Sequence, residues 1–171
     1  MAFHYCPNCG SSLEIREIEQ KPRAYCPRCQ IIHYEQLKVG AGALIERGNC
    51  LLLIQRTMAP FTGCWNLPAG YTEVDENLLD TVRREAWEET GLEIQVTTLD
   101  NVYFFDDDPR GNGILIVYNC DIVGGRLEES VEGINPTYFS VERLPTKLSG
   151  GGHDQAIRAW SERKLEGRKS G

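Results

Sequence analysis

Nowhere in this chain do about 18 apolar residues follow one another, so no transmembrane helix is expected. The opening stretch, Met1 to Gly10, has neither a cationic n-region nor an apolar h-region. It does not read as a signal peptide, and a cytoplasmic protein is expected. A cationic surplus is also missing: the net charge is −7 over 171 residues. The first 36 residues are balanced, with Arg16, Lys21, Arg23 and Arg28 against Glu14, Glu17, Glu19 and Glu35, so the negative excess lies after them. Broad nucleic-acid binding needs a cationic footprint, and this composition argues against it. A small phosphorylated substrate is not excluded, because a metal ion can supply the positive charge. No Ser/Gly/Pro-rich linker and no long repeat is present.

Present instead are two contrasting regions. Four of seven cysteines fall within the first 29 residues, while from Val39 onward strand-like runs take over. The expected division is a small module over residues 1–36 and a larger domain over residues 37–171. In the larger part, residues 39–46, 50–55, 65–67, 94–98, 102–105, 114–121 and 137–141 read as strands. Residues 78–90 read as a helix stopped by Gly91, and 155–165 as a closing helix. Residues 106–113 and 124–136 read as loops. Mixed strands with two helices favour an α+β or α/β sandwich.

The cysteines are Cys6 and Cys9, then Cys26 and Cys29, in a C-x2-C-x16-C-x2-C pattern. Two residues between thiolates let a tight turn present both sulfurs to one tetrahedral ion, which is the spacing of a four-cysteine zinc site. Free or disulfide-bonded cysteines fit the spacing and a reducing compartment less well. Four thiolates leave no open coordination position, so the zinc is expected to be structural. The intervening residues read as a hairpin, Leu13–Gln20 and Ala24 onward, with Lys21-Pro22 near the turn. Cys50, Cys64 and Cys120 default to buried thiols.

The second chemical signal runs from Gly70 to Leu92. Leu78, Leu79, Val82 and Ala86 share one side of the helix, and Glu85, Glu88 and Glu89 project from another at i, i+3 and i+4. Like charges at that spacing repel, and acidic groups in a last turn face the negative end of the helix dipole. A divalent cation reverses both penalties, and an oxygen-rich site of this kind suits Mg2+ or Mn2+. The three glutamates alone read rather as a solvated acidic surface softened by Arg83 and Arg84.

The stretch as a whole resembles the Nudix box: Gly70, Glu76, Arg84, Glu85, Ala86, Glu88, Glu89, Gly91 and Leu92 occupy its nine specified positions over 23 residues. The preceding Gly63 to Gly70 is similar to the family's approach to the box, with Ala69 where a second glycine is common. The resemblance implies an α/β/α sandwich around a mixed sheet, and the cysteine spacing places a small four-cysteine zinc ribbon before it. It also implies hydrolysis of nucleoside diphosphates linked to another group. By the same resemblance, Glu85, Glu88, Glu89 and the Gly70 carbonyl hold Mg2+ or Mn2+, and Arg84 orients the glutamates by pairing with Glu76. The water's proton passes to Glu88, to Glu89 or to a glutamate outside the box, for which Glu132 is the candidate. Arg56 is expected to face substrate phosphate and Phe61 to meet a base, while Trp65 is expected chiefly in the core.

A ribbon directly before such a domain looks like the NADH pyrophosphatases and the ribbon-bearing FAD or ADP-ribose pyrophosphatases. The Ser-Gln-Pro-Trp-Pro-Phe-Pro segment of the former is absent; the region reads Tyr103 to Pro109. FAD or ADP-ribose is therefore the expected substrate, with AMP released, and a homodimer is the expected assembly. NADH, dinucleotide-capped RNA and nucleoside triphosphates are the alternatives. A non-catalytic ligand sensor, its ribbon touching nucleic acid or a protein, is the alternative of another class.

Overall fold

The computed structural model describes residues 4–169, which fall into two compact units divided between Leu37 and Lys38. No helix among the described residues is long and apolar enough to cross a membrane.

The first unit is a three-stranded antiparallel sheet of β1 (Glu14–Ile18), β2 (Lys21–Cys26) and β3 (Ile31–His33), in that order. The hairpin turn falls one step earlier than expected. Glu19 and Gln20 both adopt left-handed backbone, φ 54° and 62°, as a two-residue turn matched to strand twist requires. Pro22 therefore sits inside β2, opposite Glu17. It is tolerated because the ladder to β3 begins only at Ala24.

The second unit begins with β4 (Lys38–Arg47) and β5 (Cys50–Arg56), then the short β6 (Trp65–Asn66) and β7 (Ala69–Tyr71). Helix α1 (Leu78–Thr90) leads directly into β8 (Leu92–Phe105), followed by β9 (Gly113–Gly125), β10 (Gly133–Ser140) and α2 (His153–Lys169). The sheet order is β10-β5-β4-β9-β8, with β6 on β5 and β7 on β4. β4 and β9 run parallel and their neighbours antiparallel, so the sheet is mixed.

Period-two alternation sends side chains to two separate cores. Leu44, Leu51, Leu53, Leu115 and Val117 meet Ala156, Ile157 and Trp160 of α2. Ala41, Ala43, Ile45, Leu52 and Ile94 meet Val82 and Ala86 of α1. Helix, sheet and helix thus form the three layers of an α/β/α sandwich. Across the first core, Glu46 accepts a hydrogen bond from the buried Trp160 indole (3.0 Å) and pairs with Lys164 (2.5 Å). Glu46→Ala leaves the indole N–H unpaired and is expected to cost about 1–3 kcal/mol, measurable by urea unfolding.

Several strand boundaries differ from expectation for one reason: irregular ladders tolerate residues that read as breakers. Residues 94–98 and 102–105 belong to one strand, β8, whose register shifts at Leu99/Asn101 absorb Asp100 and Asn101. The expected loop 124–136 shrinks to 126–132. Pro136 lies inside β10 at its register shift, on a strand at the edge of the sheet. Leu79 is exposed rather than packed. Of the scattered cysteines only Cys120 is buried; Cys50 and Cys64 are half-buried.

Candidate active site

Helix α1 is held at both ends. The Asn77 side chain accepts from the Leu79 and Asp80 amides, and Gly91 closes the helix at φ 69°, its N–H donating to the Trp87 carbonyl. The last turn contains no basic residue. Its glutamates must therefore find stabilisation elsewhere.

Two of them turn inward over β7. Glu89 is 5% exposed, and its carboxylate accepts from the Ala69 amide at 2.8 Å. Glu85 lies against Gly70 so closely that a β-carbon there would stand 1.9 Å from its Oε1. Glycine at position 70 is thus a matter of space. Ala69, where the Nudix pattern often has glycine, finds its room against Gly42, which it faces across the ladder.

Glu88 remains outside, its side chain 55% exposed. Arg84 ties these groups together. Its guanidinium forks onto Glu76 (2.6 and 3.0 Å) and donates to Glu85 (2.7 Å), Glu88 (3.1 Å) and the Tyr71 carbonyl (3.2 Å). The bidentate pair holds the Glu76 carboxyl down at about 2.

Burial acts on the inner pair in the opposite sense. It raises the pKa of Glu85 and pushes Glu89 up to about 8, with the charge of Glu132 adding to both. A hydrogen bond from Ala69 and the nearby Arg56 offset only part of this for Glu89. Two carboxyl groups that resist ionisation side by side are a chemical fit to a divalent cation, which supplies the charge they lack.

Both glutamates line a cavity of about 240 Å³ together with Arg56, Phe61, Gly70 and Glu132. Residues 56, 61, 70, 85, 89 and 132, far apart in sequence, converge there. Arg84 and Glu88 do not line it. Trp65 packs edge-on to Phe139 (centroids 4.8 Å apart) against the α2 core, as expected. Unforeseen from the sequence are Tyr71, Asp108, Arg110 and the Ser149–Gly151 and His153 wall. The run of three glycines before α2 was the available signal, since only a chain free of side chains turns so tightly there; Gly151 and Gly152 have φ of 70° and 87°.

In the first unit, the sulfurs of Cys6, Cys9, Cys26 and Cys29 all lie within 4.8 Å of one another. Among the described residues this is the one set of three or more potential ligands so gathered. The two turns match: Gly10 donates to the Cys6 carbonyl and Gln30 to the Cys26 carbonyl, each at 2.8 Å and each with positive φ. A hydrogen bond from Ser11 lowers the Cys9 thiol to about 6, while Cys29, facing Cys9, is pushed up to about 12.

The profile described as NUDIX domain matches residues 36–160, and that described as Nudix N-terminal, a zinc ribbon, matches residues 4–35. The chain belongs to the Nudix family. An ADP-ribose pyrophosphatase of Methanocaldococcus jannaschii is 41% identical over 108 residues, 63% of this chain and 64% of the relative. A protein named NAD-capped RNA hydrolase NudC, from Stutzerimonas stutzeri, is 30% identical over 144 residues, 82% of this chain and 49% of the relative. The chain thus spans 49% and 64% of the length of these relatives, less than two thirds of either. Among Nudix structures, the crystal structure of a NUDIX hydrolase from Nitrosomonas europaea superposes with TM-score 0.80 at 28% identity, covering 94% of this chain and 92% of the other.

Proposed function

We propose that the chain is a divalent-metal-dependent pyrophosphohydrolase that cleaves the diphosphate of FAD or ADP-ribose and releases AMP. The observation that carries this is the pair of buried carboxyl groups, Glu85 and Glu89, facing one cavity with Arg56. Glu85, Glu88, Glu89 and the Gly70 carbonyl would hold Mg2+ or Mn2+. Bound there, the ion would neutralise phosphate charge and acidify a water molecule.

The chain's own residues do the rest. Arg56 grips phosphate, its Nε held by the Pro60 carbonyl (3.2 Å). Glu132, or alternatively Glu89, accepts the proton of the attacking water. Arg84, anchored on Glu76, is a positioning residue for Glu85 and Glu88. The four ribbon cysteines would hold a structural zinc. ADP-ribose is supported by the name of the M. jannaschii relative. A second reading, release of a dinucleotide cap from RNA, is supported by the NudC relatives, whose similarity extends over most of this chain.

A panel of FAD, ADP-ribose, NADH, dinucleotide-capped RNA and nucleoside triphosphates, assayed with Mg2+ and Mn2+, separates these readings. AMP with FMN or ribose 5-phosphate is expected. No turnover of any diphosphate-linked nucleoside, or pyrophosphate release from triphosphates alone, would sink the proposal. Gly70→Ala tests the carboxylate arrangement: its methyl group displaces Glu85, and a loss of roughly 100-fold in kcat/KM is expected without loss of fold.

A further inference from the structure

The cavity has a second wall that the reaction itself does not use. On it the Arg110 guanidinium lies over the Tyr71 ring, 5.3 Å from its centroid. Asp108 fixes it there, accepting from Arg110 Nη2 (2.7 Å), Nε (3.0 and 3.2 Å) and the backbone amide (2.8 Å). The Asp108 side chain is 2% exposed and also accepts from the Tyr71 hydroxyl at 3.2 Å. The guanidinium is therefore immobilised, with its charge matched by a buried carboxylate.

Charge decides what such a wall can hold. Asp107 lies beside it, accepting from the Gly151 amide (2.9 Å). Asp107 and Asp108 are balanced by Arg110 and by Lys38, whose ammonium lies 5.2 Å from the same tyrosine ring. These four groups leave no positive surplus among themselves; the cation open to a phosphate is Arg56, which lines the same cavity and is felt at Tyr71 and His153. His153, on the cavity wall, adds none: burial drives its pKa down to about 3, so the imidazole is neutral, and its buried Nδ1 has no hydrogen-bond partner. What the wall offers is a rigid cationic plane, an aromatic ring beneath it and a neutral imidazole. Those are features that grip a flat uncharged group.

We propose that Arg110, locked by Asp108 onto Tyr71, is the platform on which the nucleobase of the substrate stacks, and so a specificity-determining residue. This rests on the pyrophosphatase reading and adds the place of the base, in the same cavity as the carboxylates that take the diphosphate. Arg110 acts through its plane and Asp108 acts by orienting it.

The test is calorimetric binding of AMP and of ribose 5-phosphate to the full chain in Mg2+, beside the substrate panel. Arg110→Ala and Arg110→Lys are each expected to weaken AMP about 10-fold, with ribose 5-phosphate within twofold of wild type. Lysine keeps the charge and loses the plane, so wild-type AMP affinity in Arg110→Lys would overturn the proposal. So would equal weakening of both ligands. Asp108→Asn removes a negative charge: a loss of AMP affinity supports orientation of the plane, while tighter binding of both ligands means Arg110 acts on phosphate and overturns it. Arg110 has a 41% exposed side chain, so its variants are expected to fold, checked by circular dichroism. Wild type that hydrolyses the panel while Arg110→Lys keeps AMP affinity refutes the platform alone. Wild type that hydrolyses nothing, yet binds AMP through Arg110, refutes the pyrophosphatase reading and leaves the platform standing.

Discussion

Glu89→Gln is expected to lower kcat/KM about 10³-fold while leaving the fold intact. The glutamine carbonyl can still accept from the Ala69 amide, so the packing of α1 on β7 survives. What is lost is the negative charge that would bind metal or take a proton. The same substitution has a signature in stability. In the metal-free protein the Glu89 carboxyl sits at about 8, above its ordinary 4.5. A carboxyl raised on folding stabilises fully only below its unfolded value, and that contribution is lost as pH rises through about 8. Metal-free wild type should therefore lose thermal stability between about pH 4.5 and 8, with Glu85, raised by the same burial, adding to the slope. Glu89→Gln should flatten that slope. Mg2+ or Mn2+ should restore stability at the upper end in wild type more than in the variant. Thermal denaturation across this range with and without metal, beside steady-state kinetics, checks both. Full activity in Glu89→Gln, or identical pH slopes in the two proteins, would refute the role given to this residue.

Loss of the ribbon metal is the other large expected effect. Among the described residues before Lys38, Cys6 and Cys26 alone are buried. The three short strands thus enclose no hydrophobic core, and a unit of this size needs another source of stability. Four sulfurs within 4.8 Å of one another supply it once a metal binds; structural zinc in such modules contributes about 10–16 kcal/mol. Cys26→Ser should release one zinc per chain, measured by mass spectrometry of the metal content. It should also open residues 4–37 to proteolysis while the domain from Lys38 stays resistant. The same cleavage pattern is expected when a chelator strips the wild type. A variant that keeps both its metal and its protease resistance would show that the ribbon is held some other way.

Much of this protein is legible in its sequence because the relevant rules are local. Gly91 stops α1 through a hydrogen bond to a residue only a few positions away, so the helix ends at Thr90 as the sequence predicts; Asn77 caps its start in the same local way. The two Cys-x-x-Cys turns carry their geometry within five residues. The apolar run over residues 50–55 reads as a strand, and the sandwich buries its Leu51 and Leu53 in one core and its Leu52 in the other. Strand ends were less legible. Breaker residues such as Pro136 and Asn101 are accommodated by register shifts, and those depend on what the neighbouring strand does.

The difference among the three glutamates is of another kind. In sequence Glu85, Glu88 and Glu89 are equivalent acidic residues on one helix, and it is the resemblance of the whole stretch from Gly70 to Leu92 that marks them as a metal-site motif. Only the packing of α1 on β7 separates them, burying Glu85 and Glu89 against Gly70 and Ala69 and leaving Glu88 in solvent on Arg84. Likewise, nothing in the chain order joins Tyr71 to Asp108 and Arg110 or brings His153 to the same cavity. Sequence alone was sufficient for the helix and the cysteine knuckles, because each depends on contacts within a few residues, and for the acidic motif, because its pattern lies in one continuous stretch from Gly70 to Leu92. Which carboxyl groups are desolvated, and which distant residues share their cavity, was decided by tertiary structure, because burial and long-range juxtaposition arise only when the sheet and both helices close on one another.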